Sequence, residues 1–170
     1  PAPVAFEVEP YFESNRIRVK VAPQATSVAI RWSTDAPPVD LTEGEELPWQ
    51  DIGLVTHDVA AGTTVHYAAF ALYGDIASVP RFGSATAVGS VAEIGDVKVL
   101  QLQHGVSIEW EQASSNVLVH ARRGSREERI AVPPNATEVV DLTPSPDEHV
   151  EYVVRLTRDG VTSDPIAEVP

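Results

Sequence analysis

The sequence predicts an all-β chain that forms two tandem β-sandwiches of about seven strands each. Short runs of alternating apolar residues recur along the 170 residues, which is the pattern of half-buried strands. The runs of the first half return in the second half, and no longer stretch has the 3.6-residue apolar period of a helix. These observations together favour two copies of one β-fold.

The alternating runs mark the predicted strands. Proline and glycine, 14 and 10 residues respectively, lie mostly between the runs, where they end strands and shape turns. The runs are 4–8, 17–21, 28–32, 55–59 and 67–71 in the first half, and 97–99, 106–110, 117–121, 130–132, 140–142 and 152–154 in the second.

The internal repeat is clearest in two hairpin sequences. Residues 65–80 read VHYAAFALYGDIASVP and residues 150–165 read VEYVVRLTRDGVTSDP, 85 positions later. The earlier strands repeat at an offset of 89, so the second copy has a loop shorter by four residues. We therefore predict a divergent first domain at 1–88, a short linker at 89–92 and a second domain at 93–170.

The second copy resembles a fibronectin type III domain, one of the immunoglobulin-like β-sandwiches. The resemblance is carried by Trp110 in VSIEW and by DLTPSPDEHVEY, in which Leu142 precedes Tyr152. It implies that Trp110, Tyr152 and Leu142 are structural residues. It also implies that Tyr152 forms a tyrosine corner, with its hydroxyl bonded to backbone in the preceding loop.

The first copy resembles the same family less closely. Tyr67 follows VAAGTTVH and corresponds to the tyrosine corner, so it is also expected to be structural. Val21 stands where the family places a tryptophan, and Trp32 lies on the next strand instead.

Charge and composition narrow the classes of partner. The net charge is −13, and the parts before and after Gly89 carry −6 and −7, so nucleic acid is not an expected partner. The chain has no Cys and no apolar run near the roughly 20 residues of a membrane helix.

It contains no Met and begins PAPVAF without a leader sequence, which suggests a piece of a larger protein. Ten of the twelve basic residues are arginine, and together with the abundant alanine, valine, aspartate and glutamate this suggests a GC-rich genome and a bacterial source.

Catalytic and cofactor signatures are missing from the sequence. The five histidines have no metal-ligand spacing, and there is no GxSxG nucleophile motif. We therefore expect no enzyme activity and no cofactor within these residues.

The acidic segment DLTEGEELPWQD, 40–51, has two interpretations. Its carboxylates either converge on Ca²⁺ or are simply solvated, which is the usual state of an acidic loop. Trp49 either folds over the first sandwich as a lid, the favoured interpretation, or anchors a partner. The carboxylates belong to Asp40, Glu43, Glu45, Glu46 and Asp51.

The segment ARRGSREER, 121–129, is the main concentration of basic residues and is predicted to be a loop between strands. Its arginines either bind an acidic partner or pair with nearby carboxylates, and the second interpretation is favoured. The candidate binding residues are Arg122, Arg123, Arg126 and Arg129.

The family resemblance implies a non-catalytic role. Fibronectin type III domains act as spacers or protein-binding modules in surface proteins, secreted polymer-degrading enzymes and phage tails, so we expect a protein partner and a cell-surface or secreted location. Two alternatives stay open: a carbohydrate-binding accessory module, and part of an enzyme whose active site lies in another domain.

Overall fold

A computed structural model describes residues 1–3, 5–49, 53–144 and 148–169. The chain divides into two compact units, 1–90 and 91–170. The division falls within the segment predicted as the linker, and Val91 already packs against the core of the second unit. The described residues form strands and no helix, so the predicted all-β class is confirmed.

Each unit contains eight strands among its described residues. In the first unit they are β1 (Ala5–Tyr11), β2 (Ser14–Lys20), β3 (Ser27–Ser33), β4 (Glu45–Leu47), β5 (Leu54–Asp58), β6 (Thr64–Tyr73), β7 (Ile76–Ala77) and β8 (Arg81–Thr86). In the second they are β9 (Val97–Leu102), β10 (Gly105–Ser114), β11 (Val117–Arg123), β12 (Arg126–Ile130), β13 (Ala136–Asp141), β14 (Glu151–Arg158), β15 (Val161–Thr162) and β16 (Ala167–Val169).

The two units have the same sheet topology. One sheet of the first unit has the order β1-β2-β5, and the other has the order β4-β3-β6, with β7 and β8 both paired to β6. In the second unit the sheets are β9-β10-β13 and β12-β11-β14, with β15 and β16 paired to β14. The strand pairs are antiparallel. The predicted repeat of one fold is therefore seen strand by strand.

The core of each unit comes from the apolar residues that the alternation marks as inward. In the first unit Ile17, Ile30 and Tyr67 are fully buried between the sheets. In the second unit Ile108 and Val119 are likewise fully buried between the sheets. Alternation puts these side chains on the facing surfaces of the two sheets, where burial of apolar area stabilises the sandwich.

The last strand of each unit is interrupted at a Ser-x-Pro sequence, which explains why eight strands are seen where about seven are predicted. The Ala71 amide donates to Ser78 Oγ at 3.0 Å, and the Ser78 amide donates to the Ala71 carbonyl at 2.9 Å. Ser163 makes the same two bonds with Leu156, at 2.8 and 2.7 Å. The serine hydroxyl thus satisfies a backbone amide of the central strand just before the proline, which lacks an amide hydrogen, breaks the edge.

Strand β4 is the main departure from the predicted strands of the first unit, because it lies inside the segment interpreted as an acidic loop. Leu47 is its single buried residue, and β4 pairs with β3 through Ile30 and Trp32. Gly44 precedes it with φ of +67°, and a Cβ there would collide with the Trp32 carbonyl oxygen. Glycine is therefore required for the turn into this strand.

Replacing Trp110 with alanine should destabilise the second unit by about 3–5 kcal/mol, the cost of a large-to-small core change. Trp110 is 4% exposed, and its Nε1 donates to the Ala136 carbonyl at 2.8 Å. Urea unfolding followed by circular dichroism measures the loss. Trp110→Phe is the control, because it keeps an aromatic ring in the core while it loses the Nε1 hydrogen bond and part of the indole packing. A loss below about 1 kcal/mol, the range of surface substitutions, would contradict the core assignment.

Candidate functional site

The arginine-rich segment forms a β-hairpin, so the prediction of a loop is wrong. Strands β11 and β12 pair directly, with Arg122 opposite Glu127 and Arg123 opposite Arg126. The two strands are joined by a two-residue turn that begins at Gly124, whose φ is +61°. A glycine with positive φ at this position suits a tight hairpin, which lets the charged residues continue both strands.

Arg123 holds strand β11 against strand β13 and the segment before β14. Its guanidinium pairs with Glu128 at 2.9 Å, with Glu148 at 3.1 Å and with Asp141 at 3.4 Å. It also donates to Thr143 Oγ1 at 2.5 Å. These contacts within the unit use the planar set of donors that would otherwise bind an acidic partner.

Arg122 and Arg155 form a second charged group on the outer face of the β12-β11-β14 sheet. Arg122 lies 3.4 Å from Glu151 and 4.0 Å from Glu127, and Arg155 lies 3.0 Å from Glu127. The hydrogen bond from Arg155 lowers the pKa of Glu127. Val153 lies fully buried on this same face of β14. The sequence analysis did not single out Arg155, although the alternation along β14 places it on the outward face and could have identified it.

Arg126 and Arg129 are the more accessible of the four candidate arginines. The Arg126 side chain is 77% exposed and pairs only with Glu128 among the described residues, at 2.6 Å. Arg129 is exposed and makes no ion pair with a described residue. It lines a surface cavity of about 360 Å³ together with Ile130 and Leu142. Arg123 lines the same cavity, but Arg122 and Arg123 are held in ion pairs within the unit, whereas Arg126 and Arg129 are the exposed members.

The acidic segment is fastened to strand β3 by Arg31. The Arg31 guanidinium donates to the carbonyls of Glu43 and Gly44, at 2.9 and 2.5 Å. Hydrogen bonds from the side chain and the amide of Thr42 lower the pKa of Asp40. The described residues contain no group of three potential ligands that could hold a metal ion. Asp51 lies outside the described residues.

Trp49 is partly buried against the core of the first unit. This position fits the lid interpretation better than an exposed anchor, although the next three residues lie outside the described part of the chain. Its role at a partner surface stays a hypothesis.

Tyr152 joins the two sheets of the second unit through its hydroxyl. The hydroxyl donates to Asp141 Oδ2 at 2.9 Å, across the core from β14 to β13. The prediction that this hydroxyl bonds to backbone in the preceding loop is therefore wrong, because the ring points across the sandwich toward a buried carboxylate. Burial and the bond to Asp141 raise the pKa of Tyr152.

Tyr67 makes the corresponding connection in the first unit with uncharged partners. Asn15 Nδ2 donates to the Tyr67 hydroxyl at 3.1 Å and to the Ala85 carbonyl at 3.3 Å. The hydroxyl lies 2.7 Å from His57 Nδ1, within hydrogen-bond distance. Burial lowers the pKa of His57 and raises the pKa of Tyr67 to about 12. Both predicted corner tyrosines therefore bond to side chains of the facing sheet.

Leu142 is 73% exposed, so the prediction that it is a structural core residue is wrong. It follows Asp141, whose side chain points inward from β13, and alternation therefore turns Leu142 outward. Exposed large aliphatic side chains of this kind also mark binding surfaces.

Comparison with known proteins gives similarity of fold. A two-domain fibronectin type III segment of chicken tenascin matches with a TM-score of 0.43 and 14% identity, over 98% of this chain and 98% of that chain. The FN1-FN3 domains of chicken CNTN1 match with a TM-score of 0.49 and 11% identity, over 99% of this chain and 66% of that chain.

The fold assignment itself rests on the strand order within each unit. No protein-family model matches the sequence, and no curated protein matches it. Among the described residues there is no helix of the length and hydrophobicity needed to cross a bilayer.

The second unit should lose stability below about pH 4 through protonation of Asp141. Burial acts to raise the pKa of Asp141, but hydrogen bonds from Thr143 and Tyr152 and the charge of Arg123 hold it below its usual value of 3.8. A lowered pKa in the folded state contributes stability above the unfolded pKa and loses it as the pH falls through the folded pKa.

The measurement is the difference in unfolding free energy between wild type and Asp141→Asn, from pH 7 down to pH 2. We expect the wild type to be more stable at pH 7 and the difference to shrink below about pH 4. Tyr152→Phe is the control: it removes one hydrogen bond to a charged group, worth about 1.5–3 kcal/mol, and leaves a titrating carboxylate. A difference that is constant with pH would contradict this role of Asp141.

The first unit should lose stability at a higher pH, because burial lowers the pKa of His57 below 6.5 while the charges of Asp58 and Glu45 oppose this only in part. The unfolded state binds a proton more readily, so stability is complete above about pH 6.5 and falls as the pH decreases. Thermal unfolding between pH 7.5 and 5 should show this loss, and His57→Phe should reduce its slope.

Asn15→Ala is the matched control for His57. It removes a hydrogen bond to Tyr67 at every pH but leaves the imidazole in place. Its melting temperature should therefore be lower at every pH, and the dependence of the melting temperature on pH should be retained. An unchanged slope in His57→Phe would show that another group causes the acid sensitivity.

Proposed function

We propose that this chain is a non-catalytic tandem module that binds a protein partner or spaces the other parts of a larger bacterial protein, at the cell surface or after secretion. The supporting observation is that its prominent polar side chains form contacts within their own units. Arg122, Arg123, Tyr67 and Tyr152 make their contacts within their own units. The chemistry that these residues could offer is therefore used in structural contacts, and exposed strand faces are left for recognition.

The carbohydrate-binding alternative has less support. Sugar platforms need several exposed aromatic rings, and of the eleven aromatic side chains, all in the described residues, only Phe82 is more than half exposed, at 53%. The alternative of a shared active site also gains nothing from the two tyrosines. Burial raises both of their pKa values, and each hydroxyl is already held by a structural bond.

A replacement experiment in the parent protein tests the proposal. Residues 1–170 are exchanged for two sandwiches of the same topology and length with unrelated surfaces. Recovery of parent function shows a spacer, and loss of partner binding alone shows a binding module. Turnover of a substrate by residues 1–170 alone would overturn the proposal. Retention of the chain on cellulose or chitin, lost in Phe82→Ala, would instead support carbohydrate binding.

A further inference from the structure

Four large aliphatic side chains lie together on the outer face of the β13-β10-β9 sheet. They are Leu100 and Leu102 on β9, Val140 on β13 and Leu142 directly after it, and they are between 37 and 73% exposed. The register places Leu100 and Val140 on either side of Ser107. We call this surface the apolar face of the second unit.

The centre of the apolar face has small residues that its aliphatic side chains cover. Gly105 pairs with Leu102 and approaches Leu142, since a Cβ at Gly105 would lie 3.0 Å from Leu142 Cδ2. Ser107 is buried although its side chain points outward. The exposed aliphatic side chains, rather than the small residues between them, are therefore the surface on which a partner's apolar row can pack.

The first unit shows that the fold does not require an apolar surface at this place. With the offset of 89, Arg18 corresponds to Ser107, and it pairs with Glu7 where Ser107 pairs with Leu100. Arg16 corresponds to Gly105 and pairs with Glu9. Arg18 also forms an ion pair with Glu9 at 2.6 Å. The same sheet face therefore carries a charged ladder in one copy and exposed aliphatic residues in the other.

Electrostatics indicate the kind of partner. The next row of the apolar face contains Glu138, Glu109 and Lys98, and the part of the chain after Gly89 carries a net charge of −7. Arg123, on the far side of β13, is already paired with three carboxylates. Arg129, which borders Val140 and Leu142, and Lys98 are outnumbered by the acidic residues of this part of the chain. A second copy of this acidic chain would be repelled, whereas a basic segment would be attracted.

We propose that the apolar face docks a polypeptide segment that presents one row of aliphatic or aromatic side chains flanked by lysine or arginine. The apolar row packs on the four exposed aliphatic side chains, and the basic residues contact Glu109 and Glu138 beside them. This inference rests on the proposed binding function and names its surface and the chemistry of its partner.

The probe is an amphipathic peptide of about 18 residues, or about five helical turns, with leucine and tryptophan on one face and lysine on the other. It is titrated into the full ¹⁵N-labelled chain. We expect the amide shifts to concentrate at Gly105, Ser107 and Leu142. A peptide of the same composition with its apolar residues scattered, and one with glutamate in place of lysine, should each bind at least tenfold more weakly.

A triple variant tests the surface by giving it the side chains of the first unit: Leu100→Glu, Leu102→Glu and Leu142→Thr. The replaced side chains are exposed, so the fold should be retained, which a thermal melt verifies. Affinity for the leucine–lysine peptide should fall at least tenfold.

The matched control has the same substitutions on exposed residues of the first unit: Ile76→Glu, Val79→Glu and Phe82→Thr. It adds the same charge and removes a similar apolar area, so a non-specific attraction of the cationic peptide would affect both variants equally. Unchanged affinity in the control supports the apolar face.

Three results would overturn the proposal: equal binding of the triple variant, equal binding of either control peptide, or no binding. Sedimentation that shows a dimer lost in the triple variant would make a second copy the occupant and also overturn it. If binding persists and is lost only in the Ile76, Val79 and Phe82 variant, the chain remains a binding module with its surface elsewhere. The replacement experiment in the parent protein separately tests whether it is such a module.

Discussion

Each sandwich buries a tyrosine hydroxyl between its two sheets, and that hydroxyl needs a polar partner on the facing sheet. A buried donor without a partner costs about 1–3 kcal/mol, so the partner determines how the sheets can lie on each other. Tyr152 reaches Asp141, and Tyr67 reaches Asn15 and His57. These bonds cross the core that alternating apolar residues build. Relative sliding of the sheets would break them, and the tyrosines therefore give specificity to a core that hydrophobic burial alone leaves adaptable.

The two units meet the same requirement with different chemistry. In the second unit a carboxylate accepts the hydrogen bond of the tyrosine hydroxyl and is itself held by Arg123 and Thr143, which connects the core to the charged hairpin of β11 and β12. In the first unit the tyrosine hydroxyl lies 2.7 Å from His57 Nδ1, and the imidazole also lies against Trp32, with 4.6 Å between the ring centres. The copies thus share topology and core positions while their polar interiors and outer faces have diverged.

The sequence predicted the fold class, the repeat and most strands because inward residues such as Ile17, Ile108 and Tyr152 alternate clearly. Strand β4 was missed because a single residue, Leu47, marks its inward side. The hydroxyl partners were missed because Asn15 lies 52 positions from Tyr67, and single-sequence patterns do not show distant contacts. The apolar face was also missed. Leu100 and Leu102 lie on the same outward side of β9 as Lys98. This can be recognised only when the inward-facing residues of β9 are known.

The serine–proline interruption affects how two similar domains fold when they belong to one chain. A continuous final strand would present a long row of free amides and carbonyls, and such edges can pair with the strand of a neighbouring, half-folded copy. In this chain the edge is divided into β7 and β8, and into β15 and β16, at a residue that lacks an amide hydrogen. The hydroxyl of Ser78 or Ser163 satisfies its own central strand at the break. The interruption therefore shortens the continuous edge with which a strand of the neighbouring repeat could pair during folding.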